Sequence, residues 1–448
     1  MQLPTQLLKE MFDRTLEVER SNLMLLTGVF RSYQDPDLEI DEIVIESLFI
    51  SQEYRQSTTD DIHIKVRVFP LDLMKLMKHQ SDLYLSITVE YFDEDTGEID
   101  IEEDTEVYEY RVFIHDLENI AKKYGINQFA NTEPDIGEDI VKESHSTDLS
   151  LDVQLIEEEA YTFNRGSFHG ILTECTIGDA VRFIAAQMGV KKINMVEPDN
   201  QVKYRHIIIP PEYAECHKLF NYLQWYYGVY AGGLTTYFTG GVLYVFPPYD
   251  LTSERPPKLT VLKAAPQSYI GLSNYHDIDD ENNLTFVCNT NASHQSLSNI
   301  TTENEGNARV LTRSDLMIDG QVNFDKMKLT DTAVVISNNY DNSIKQRSTV
   351  VRYKEPTINF FDHASRIAEG NAEMLVFAWN YCRLFRIVPG MATDYVFDEE
   401  ETVMLQQGLI EGTSYMLDRK ATKNDKYCYA CTVTITLRSE SDVQNYDP

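Results

Sequence analysis

The residues best placed by type and spacing to do chemistry are a neighbouring cysteine and histidine, Cys216 and His217. A cysteine nucleophile needs an imidazole close enough to take its proton. The surrounding sequence predicts a helix, on which adjacent side chains point about 100° apart and rarely share a hydrogen bond. A catalytic cysteine would need a histidine from elsewhere in the fold, and no other histidine is marked out. We therefore do not expect the pair to be catalytic, and expect Cys216 to be a buried or half-buried free thiol.

Metal chemistry has one candidate, the pair Cys428 and Cys431. The sequence around them predicts a strand, on which residues three apart point to opposite faces and cannot hold one ion together. A zinc site would also need a second pair of ligands. The ten histidines form neither His-x-x-x-His nor His-Glu-x-x-His. We therefore expect no metal, no cofactor, and six reduced cysteines in a reducing compartment.

Other reaction classes leave no positive mark on the sequence. The acidic hairpin around Thr96 and Gly97 could suggest a calcium loop, but its glycine is the fifth residue from Asp93 and an EF-hand needs it sixth. The motifs Gly-x-Ser-x-Gly, Gly-x-Gly-x-x-Gly and the phosphate-binding loop are missing. Glycosidases need only two carboxylates, and 72 acidic residues supply many pairs without singling one out. The sequence predicts a protein that is not an enzyme.

The strongest pattern lies between Pro210 and Asp250, and it is structural. It predicts a short helix ended by Gly228, then two strands joined by a glycine pair. Its aromatic side chains could form a sugar platform, but aromatics at helical and strand spacing more often pack in a core or a subunit interface. These side chains are Tyr222, Trp225, Tyr226, Tyr227, Tyr230, Tyr237, Phe238 and Tyr244.

The charge of the chain limits its partners. It has 72 Asp and Glu against 39 Lys and Arg, a formal net charge of -33. Nucleic-acid binding needs basic stripes, which are not visible, and an acidic surface repels polyanions. There is no apolar run near ~20 residues, so we expect no membrane span. The first residues lack the plan of a secretory signal.

The order of predicted helices and strands indicates an α+β fold. It has two small antiparallel β-barrel domains and an inserted α/β region. A length of 448 residues exceeds what one core supports, about 250–300 residues. The predicted division is an N-terminal barrel over 1–160, an α/β domain over 161–257, a second, discontinuous barrel from 258–290 plus 380–440, an inserted loop and helix region over 291–379, and a tail over 441–448.

Three local patterns support this division. Ile62, Ile64, Val66 and Val68 alternate with polar residues, which predicts a strand with one buried face. A helix is predicted from an N-cap at Thr176 to a stop at Gly189, with Asp179 in its first turn. Near the C-terminus we expect a helix over 359–379, a strand over 381–388 and a turn at Pro389-Gly390.

This order of elements resembles the baseplate hub proteins of contractile-tailed phages, which are related to tail-associated proteins of other phages and to the base of type VI secretion spike proteins. The stretches 220–249 and 371–437 carry the resemblance, the second as a helix that feeds the last barrel strands. The resemblance assigns family-like structural positions to Tyr222, Gly228, Tyr230, Tyr244, Pro247, Pro389 and Gly390.

The resemblance implies a structural virion protein made in the host cytoplasm. Hub proteins of this kind are homotrimers, and two barrels per protomer give a pseudo-sixfold ring that joins a sixfold tail tube to a threefold central spike. The implied partners are the tail tube protein, the central spike protein, baseplate wedge proteins and the tape measure protein. DNA would pass through the lumen without specific binding. Two other functions stay open, a tail-tip peptidoglycan hydrolase and a carbohydrate-binding tail adhesin.

Overall fold

The computed structural model describes more than half of the chain. The described residues are 22–41, 43–93, 105–115, 149–250, 257–263, 276–278, 283–288, 293–296, 333–338, 347–352, 361, 365, 373–399, 402–421, 427–439 and 444–445.

The first part of the chain is mainly β, with one helix. Its elements are β1 (Asn22–Ser32), β2 (Glu39–Ile40), β3 (Val44–Glu53), β4 (Asp61–Val68), α1 (Pro70–Lys78), β5 (Leu83–Asp93), β6 (Thr105–Ile114) and β7 (Leu149–Ile156).

The middle part alternates helices with short strands. Its elements are α2 (Glu158–Arg165), β8 (Gly170–Thr176), α3 (Ile177–Gln187), β9 (Lys192–Met195), β10 (Lys203–Ile209), a 3₁₀ turn (Pro211–Tyr213), α4 (Cys216–Tyr226), β11 (Thr235–Thr239) and β12 (Val242–Phe246).

The last part returns to strands. These are β13 (Lys258–Lys263), β14 (His276–Ile278), β15 (Leu284–Cys288), β16 (Ser293–Ser296), β17 (Ala333–Asn338), β18 (Arg347–Arg352), β19 (Glu373–Asn380), β20 (Ala392–Glu399), β21 (Thr402–Ala421), β22 (Tyr427–Ser439) and β23 (Gln444–Asn445).

Eight antiparallel strands close into a barrel. Around the barrel the order is β21, β3, β4, β7, β6, β5, β1, β22 and back to β21. Closure leaves this sheet without an open edge. Six of the barrel strands come from the first part of the chain and two, β21 and β22, from its C-terminal part.

A second sheet grows from the other ends of the same two strands. Its order is β14, β15, β13, β20, β21, β22, β19 and β16. The sheet curls until its two sides approach, so that the Phe286 ring on β15 stacks on the Trp379 ring on β19 at 5.3 Å. Two of its pairs are parallel, since β13 runs parallel to both β15 and β20. The α+β fold class is thus confirmed, with parallel pairs added to the second sheet.

The two sheets are continuous because β21 and β22 belong to both. At 20 and 13 residues, these are the longest described strands. A β-bulge between Ile410 and Gly412 marks the passage from one sheet to the other. A Cβ atom on Gly412 would lie 2.6 Å from the Gln52 carbonyl oxygen, and one on Gly408 would clash with the Arg438 carbonyl oxygen. Glycine allows the strands to pack this closely.

Buried and exposed side chains alternate along the strands, and the buried ones form the core. On β4, Ile62, Ile64, Val66 and Val68 are all at most 2% exposed while their neighbours face outward, as the sequence predicts. One hydrophobic cluster runs through the barrel and the second sheet, and a separate cluster fills the α/β region. The barrel and the second sheet have one core in common because β21 and β22 belong to both.

Helix α3 has the boundaries that its sequence predicts. The Thr176 side chain accepts a hydrogen bond from the Asp179 backbone N–H, and the Asp179 carboxylate accepts one from the Thr176 N–H, a complete capping box. Gly189 follows the helix with φ +88°, a left-handed conformation that glycine adopts without strain.

The predicted helix over 359–379 is wrong from residue 373 onward. That part is strand β19, on which Leu375, Phe377 and Trp379 are buried and alternate with half-buried neighbours. Large apolar residues at every second position are typical of a strand, and this strand pairs with β16 on one side and β22 on the other. The predicted strand over 381–388 is also wrong, because these residues form turns.

Several predictions lie outside the described residues. These are the hairpin tip at Thr96-Gly97 and most of the region 291–372, where the structure describes β16, β17, β18 and two single residues. Of the tail at 441–448, residues 444–445 pair with β21. Within the described part, no helix is long and apolar enough to cross a membrane.

Candidate functional site

Cys216 is packed as the sequence predicts. It opens α4 and is 2% exposed, and burial raises the pKa of its thiol to about 12. His217 points outward, with its Nε2 atom 3.6 Å from the Glu215 carboxylate. A thiol with so high a pKa is almost entirely protonated at neutral pH, which makes it a poor nucleophile.

The pair Cys428 and Cys431 lies on β22, and both side chains are buried. The carbonyl oxygen of Cys431 accepts a hydrogen bond from the Cys382 backbone N–H at 3.2 Å. Burial raises the pKa of the Cys382 thiol. Among the residues that the structure describes, no three His, Cys, Asp or Glu side chains converge as metal ligands.

Most of the aromatic group is core. Tyr230 and Tyr237 have no exposed surface, and Phe238 is 1% exposed. Tyr222 stacks between Tyr213 and Tyr226, at centroid distances of 4.5 and 5.4 Å. Its hydroxyl donates to the Ile208 carbonyl at 2.9 Å. A sugar platform needs open ring faces, and Tyr226 alone among the eight predicted aromatics is strongly exposed.

The family-like positions within the α/β region have packing roles. Gly228 ends α4 with φ +77°, and a Cβ there would lie 2.5 Å from the Phe361 ring. The Tyr230 hydroxyl donates to the Val196 carbonyl. Tyr244 pairs with Tyr237 across the β11–β12 hairpin, and burial raises the pKa of its hydroxyl.

The other family-like positions lie near the boundary between the α/β region and the second sheet. Gly390 has φ +71°, and a Cβ there would lie 2.6 Å from the Phe246 ring at the end of β12. Pro247 follows Phe246, and both Pro247 and Pro389 are buried. The structure thus brings Pro247, Pro389 and Gly390 to one seam, although 142 positions separate the two prolines in the chain.

A buried carboxylate joins the barrel to the α/β region. Asp60, just before β4, is 9% exposed and accepts hydrogen bonds from three uncharged donors. These are the Gln52 amide at 2.9 Å, the Tyr237 hydroxyl at 2.8 Å and the Thr239 hydroxyl at 2.7 Å. The Gln52 amide oxygen in turn accepts from Thr413 on β21 at 2.6 Å. We call these five residues the junction cluster.

The junction cluster changes the acidity of Asp60. Burial, with a smaller contribution from the nearby Glu157 carboxylate, raises the pKa of the Asp60 carboxyl to about 7, while the hydrogen bonds from Thr239, Gln52 and Tyr237 oppose the shift. Glu157 is half-buried, which raises the pKa of its carboxyl, and it accepts hydrogen bonds from the Gly240 and Gly241 N–H groups at 2.8 and 3.2 Å. Two carboxyl groups therefore lie where the β11–β12 hairpin meets the barrel.

Backbone contacts strengthen the same junction. The Phe238 N–H donates to the Thr58 carbonyl at 2.8 Å, so one residue pair joins β11 to the β3–β4 turn. Asn164 on α2 bonds to the hydroxyls of Thr58 and Thr59 at 2.7 and 3.2 Å. An open depression of 710 Å³ lies beside this turn, with Glu53, Asp60, Asp61, His115 and Tyr161 in its lining.

A second polar cluster lies where the two sheets meet. Glu411, at the β21 bulge, receives Arg55 at 2.7 Å and Arg438 at 3.4 Å on the same carboxylate oxygen. Both guanidinium groups lie over the Tyr249 ring, at 5.2 and 5.0 Å from its centroid. Arg438 is 2% exposed, so its charge needs these partners. This arginine cluster joins the β3–β4 turn, β21, β22 and the end of the α/β region.

Sequence reasoning missed both clusters, although one signal was present. Asp60 continues the inward-facing positions of Ile62 and Ile64, and Gln52 continues those of Leu48 and Ile50. A polar residue that extends a buried face marks a side chain that needs internal partners. The partners come from positions up to 361 residues away, and no local pattern identifies them. Together the clusters hold three parts of the molecule in fixed relation.

Comparison with solved structures gives distant similarities. A tail protein from Neisseria meningitidis is 12% identical, with 92% of this chain and 96% of that chain covered and a TM-score of 0.42. A Francisella PdpA–VgrG complex chain is 8% identical, with 100% and 63% covered and a TM-score of 0.39. The Escherichia coli c3393 protein, described as a type VI secretion component similar to T4 bacteriophage tail proteins gp27 and gp5, is 10% identical, with 94% and 79% covered and a TM-score of 0.37.

These are proteins to which the chain is similar. At such identities and TM-scores the similarities carry no statement about function. No curated protein sequence matches the chain. A family profile described as the bacteriophage PBS1 gene 109 protein matches residues 33–261, just over half of the chain. The chain therefore belongs to the bacteriophage PBS1 gene 109 protein family.

Proposed function

We propose that this chain is a structural protein of a phage tail. In this role it is the baseplate hub, a homotrimer that joins the sixfold tail tube to the threefold central spike and surrounds the DNA channel. Its other neighbours are the baseplate wedge proteins and the tape measure protein. It acts in the virion, after synthesis in the host cytoplasm.

The observation that carries the proposal is the pair of sheets built on shared strands. A closed barrel and a second curled sheet stand end to end on β21 and β22 within one chain. Three copies would present six such sheets, which suits an adapter between sixfold and threefold partners. The two polar clusters support a scaffold role, since they fix the sheets and the α/β region to one another.

The groups whose pKa values the fold shifts strongly also favour a scaffold role. Asp60 and Glu157 are hydrogen-bonded between elements, and the hydroxyl groups of Tyr54 and Tyr237, whose pKa values burial raises, belong to the core. An active site places such groups where a substrate can reach them, and of these four groups Asp60 alone borders the open depression. A peptidoglycan hydrolase would show as clearing of a cell-wall gel by the purified protein, and that result would contradict a purely structural role.

In this proposal the net negative charge of the chain keeps DNA from adhering to the channel. Three copies, each at -33, would surround a path that DNA must traverse, and acidic walls discourage phosphates from adhering. Replacing acidic residues found to face the lumen by their amides should slow DNA ejection from assembled particles. An unchanged ejection rate in those particles would contradict this use of the charge.

The proposal is tested by disrupting the gene in the phage that carries it. We expect tails that lack the junction between tube and spike in electron micrographs, with normal assembly restored by the intact gene in trans. Complete, infectious tails without the protein would contradict the proposal. A carbohydrate-binding adhesin would instead leave tail assembly intact and abolish attachment to the host.

A further inference from the structure

Apolar side chains lie exposed on the α/β region, outside its own core. Ile171 on β8 and Ile208 on β10 are 61% and 49% exposed, and they are direct partners across the two strands. Tyr226 on α4 is 42% exposed and stacks on Tyr222, whose hydroxyl bonds to the Ile208 carbonyl. Ile171, Ile208 and Tyr226 therefore lie close together, and we call them the isoleucine–tyrosine patch.

The backbone beneath this patch is firmly held. The Ile208 N–H donates to the Tyr227 hydroxyl at 2.7 Å, so tyrosine hydroxyls occupy the edge of β10 that a further strand would otherwise use. Tyr204 packs on Tyr227 with ring centroids 5.2 Å apart. A rigid surface of isoleucine and tyrosine loses little conformational entropy when it is covered, as is typical of protein–protein contacts.

The charge of the chain indicates what can cover the patch. Residues 161–257 contain eight Lys and Arg and eight Asp and Glu, so the whole formal charge of -33 belongs to the rest of the chain. Two copies that approach through their acidic parts repel each other. The neutral α/β region is the part through which copies can approach with least repulsion. A basic partner would instead be drawn to the acidic parts.

We propose that the isoleucine–tyrosine patch is a contact surface for a second copy of this chain. The inference rests on the proposed function, because it gives the homotrimer an interface. Each contact removes apolar side chains from water, which stabilises the assembly, and its neutral surroundings keep the cost of bringing acidic chains together low.

The test is sedimentation equilibrium of the purified full-length protein and matched variants. Ile208→Asp places a charge in the patch, and the double variant Ile171→Thr, Ile208→Thr removes apolar surface while keeping β-branched side chains in the strands. Val107→Asp is the control, because Val107 is 60% exposed on the barrel strand β6. We expect both patch variants to weaken self-association by roughly tenfold or more, a change worth about 1.4 kcal/mol. The control should match the wild type, and all melting temperatures should agree.

The salt dependence of self-association is a second measurement, and the inference predicts its direction. Since the acidic copies repel, raising the salt from about 0.05 M to about 0.5 M should strengthen self-association of the wild type by screening that repulsion. Weaker association at high salt would indicate attraction between unlike charges and would overturn the inference.

The outcomes separate the patch from the proposed function. Self-association that persists in both patch variants overturns the patch as an interface and leaves the trimer standing. A wild-type protein that stays monomeric at every concentration and salt overturns both the patch and the trimer. Loss of the tube-to-spike junction on gene disruption, tested independently, would still support a structural role in the tail.

Discussion

Asp60 shows how the fold sets the chemistry of a single side chain. Its carboxyl is buried, and its three hydrogen-bond donors, Gln52, Tyr237 and Thr239, are all uncharged. No cationic side chain bonds to it among the described residues, so burial dominates and raises its pKa to about 7. A carboxyl group of this kind links the stability of the junction to pH.

The first prediction concerns that link. The unfolded chain releases the Asp60 proton near the ordinary pKa of 3.8, whereas the folded chain keeps it until about pH 7. The folded state therefore binds more protons between these values, so the contribution of Asp60 to stability falls as pH rises through this window and is constant above it. Between pH 5 and pH 8, the wild type should lose up to about 2–3 kcal/mol relative to Asp60→Asn.

Urea unfolding of both proteins across that pH range measures this difference. Asp61→Asn, at the exposed neighbouring carboxylate, is the control and should run parallel to the wild type. Parallel pH profiles for the wild type and Asp60→Asn would show that Asp60 does not titrate in this range.

A second residue-scale prediction concerns Gly412, where β21 passes from one sheet to the other. A Cβ atom there would lie 2.6 Å from the Gln52 carbonyl oxygen, which is backbone and cannot easily move aside. Gly412→Ala should therefore lower the free energy of unfolding by about 1–3 kcal/mol. Ser414→Ala, two residues further on the same strand, is the control and should change stability little. Equal melting temperatures for the two variants would contradict close packing at the bulge.

At the scale of elements, helix α3 is the clearest case of structure determined by local sequence. Its capping box, its apolar stripe and its terminal glycine lie within fifteen residues. Thr176→Ala should destabilise the protein by about 1 kcal/mol, because a helix N–H group loses its acceptor. Thermal unfolding measures this loss, and Thr176→Ser should restore most of it. No difference between Thr176→Ala and Thr176→Ser would show that the cap carries little stability.

Strand β19 shows why some elements were mispredicted. Helical spacing links residues such as Phe361 and Ala364 in its upstream sequence, and the same stripe can be continued to Leu375. The structure follows the alternation of Leu375, Phe377 and Trp379. The strand pairs with β22, and these three side chains are buried inside the second sheet. A short apolar run suits a helix or a strand, and its partners decide between them.

The whole molecule depends on contacts that no local pattern contains. The sequence predicts two barrels with an α/β region between them, and the structure agrees in class. The sequence does not indicate that β21 and β22 run through both sheets, since that depends on pairing β1 and β3 with strands more than 350 residues away. The junction and arginine clusters follow from the same pairing. Individual strands were therefore predictable, while the joints between them were not.

These joints are the basis of the central claim, that the chain acts as one rigid adapter between partners of different symmetry. The most direct measurement is electron cryo-microscopy of the isolated tail end. The account predicts three copies of this chain around the channel, with their six sheets forming one ring between tube and spike. Absence of the chain from that ring, or an arrangement in which its two sheets do not alternate around the axis, would contradict it.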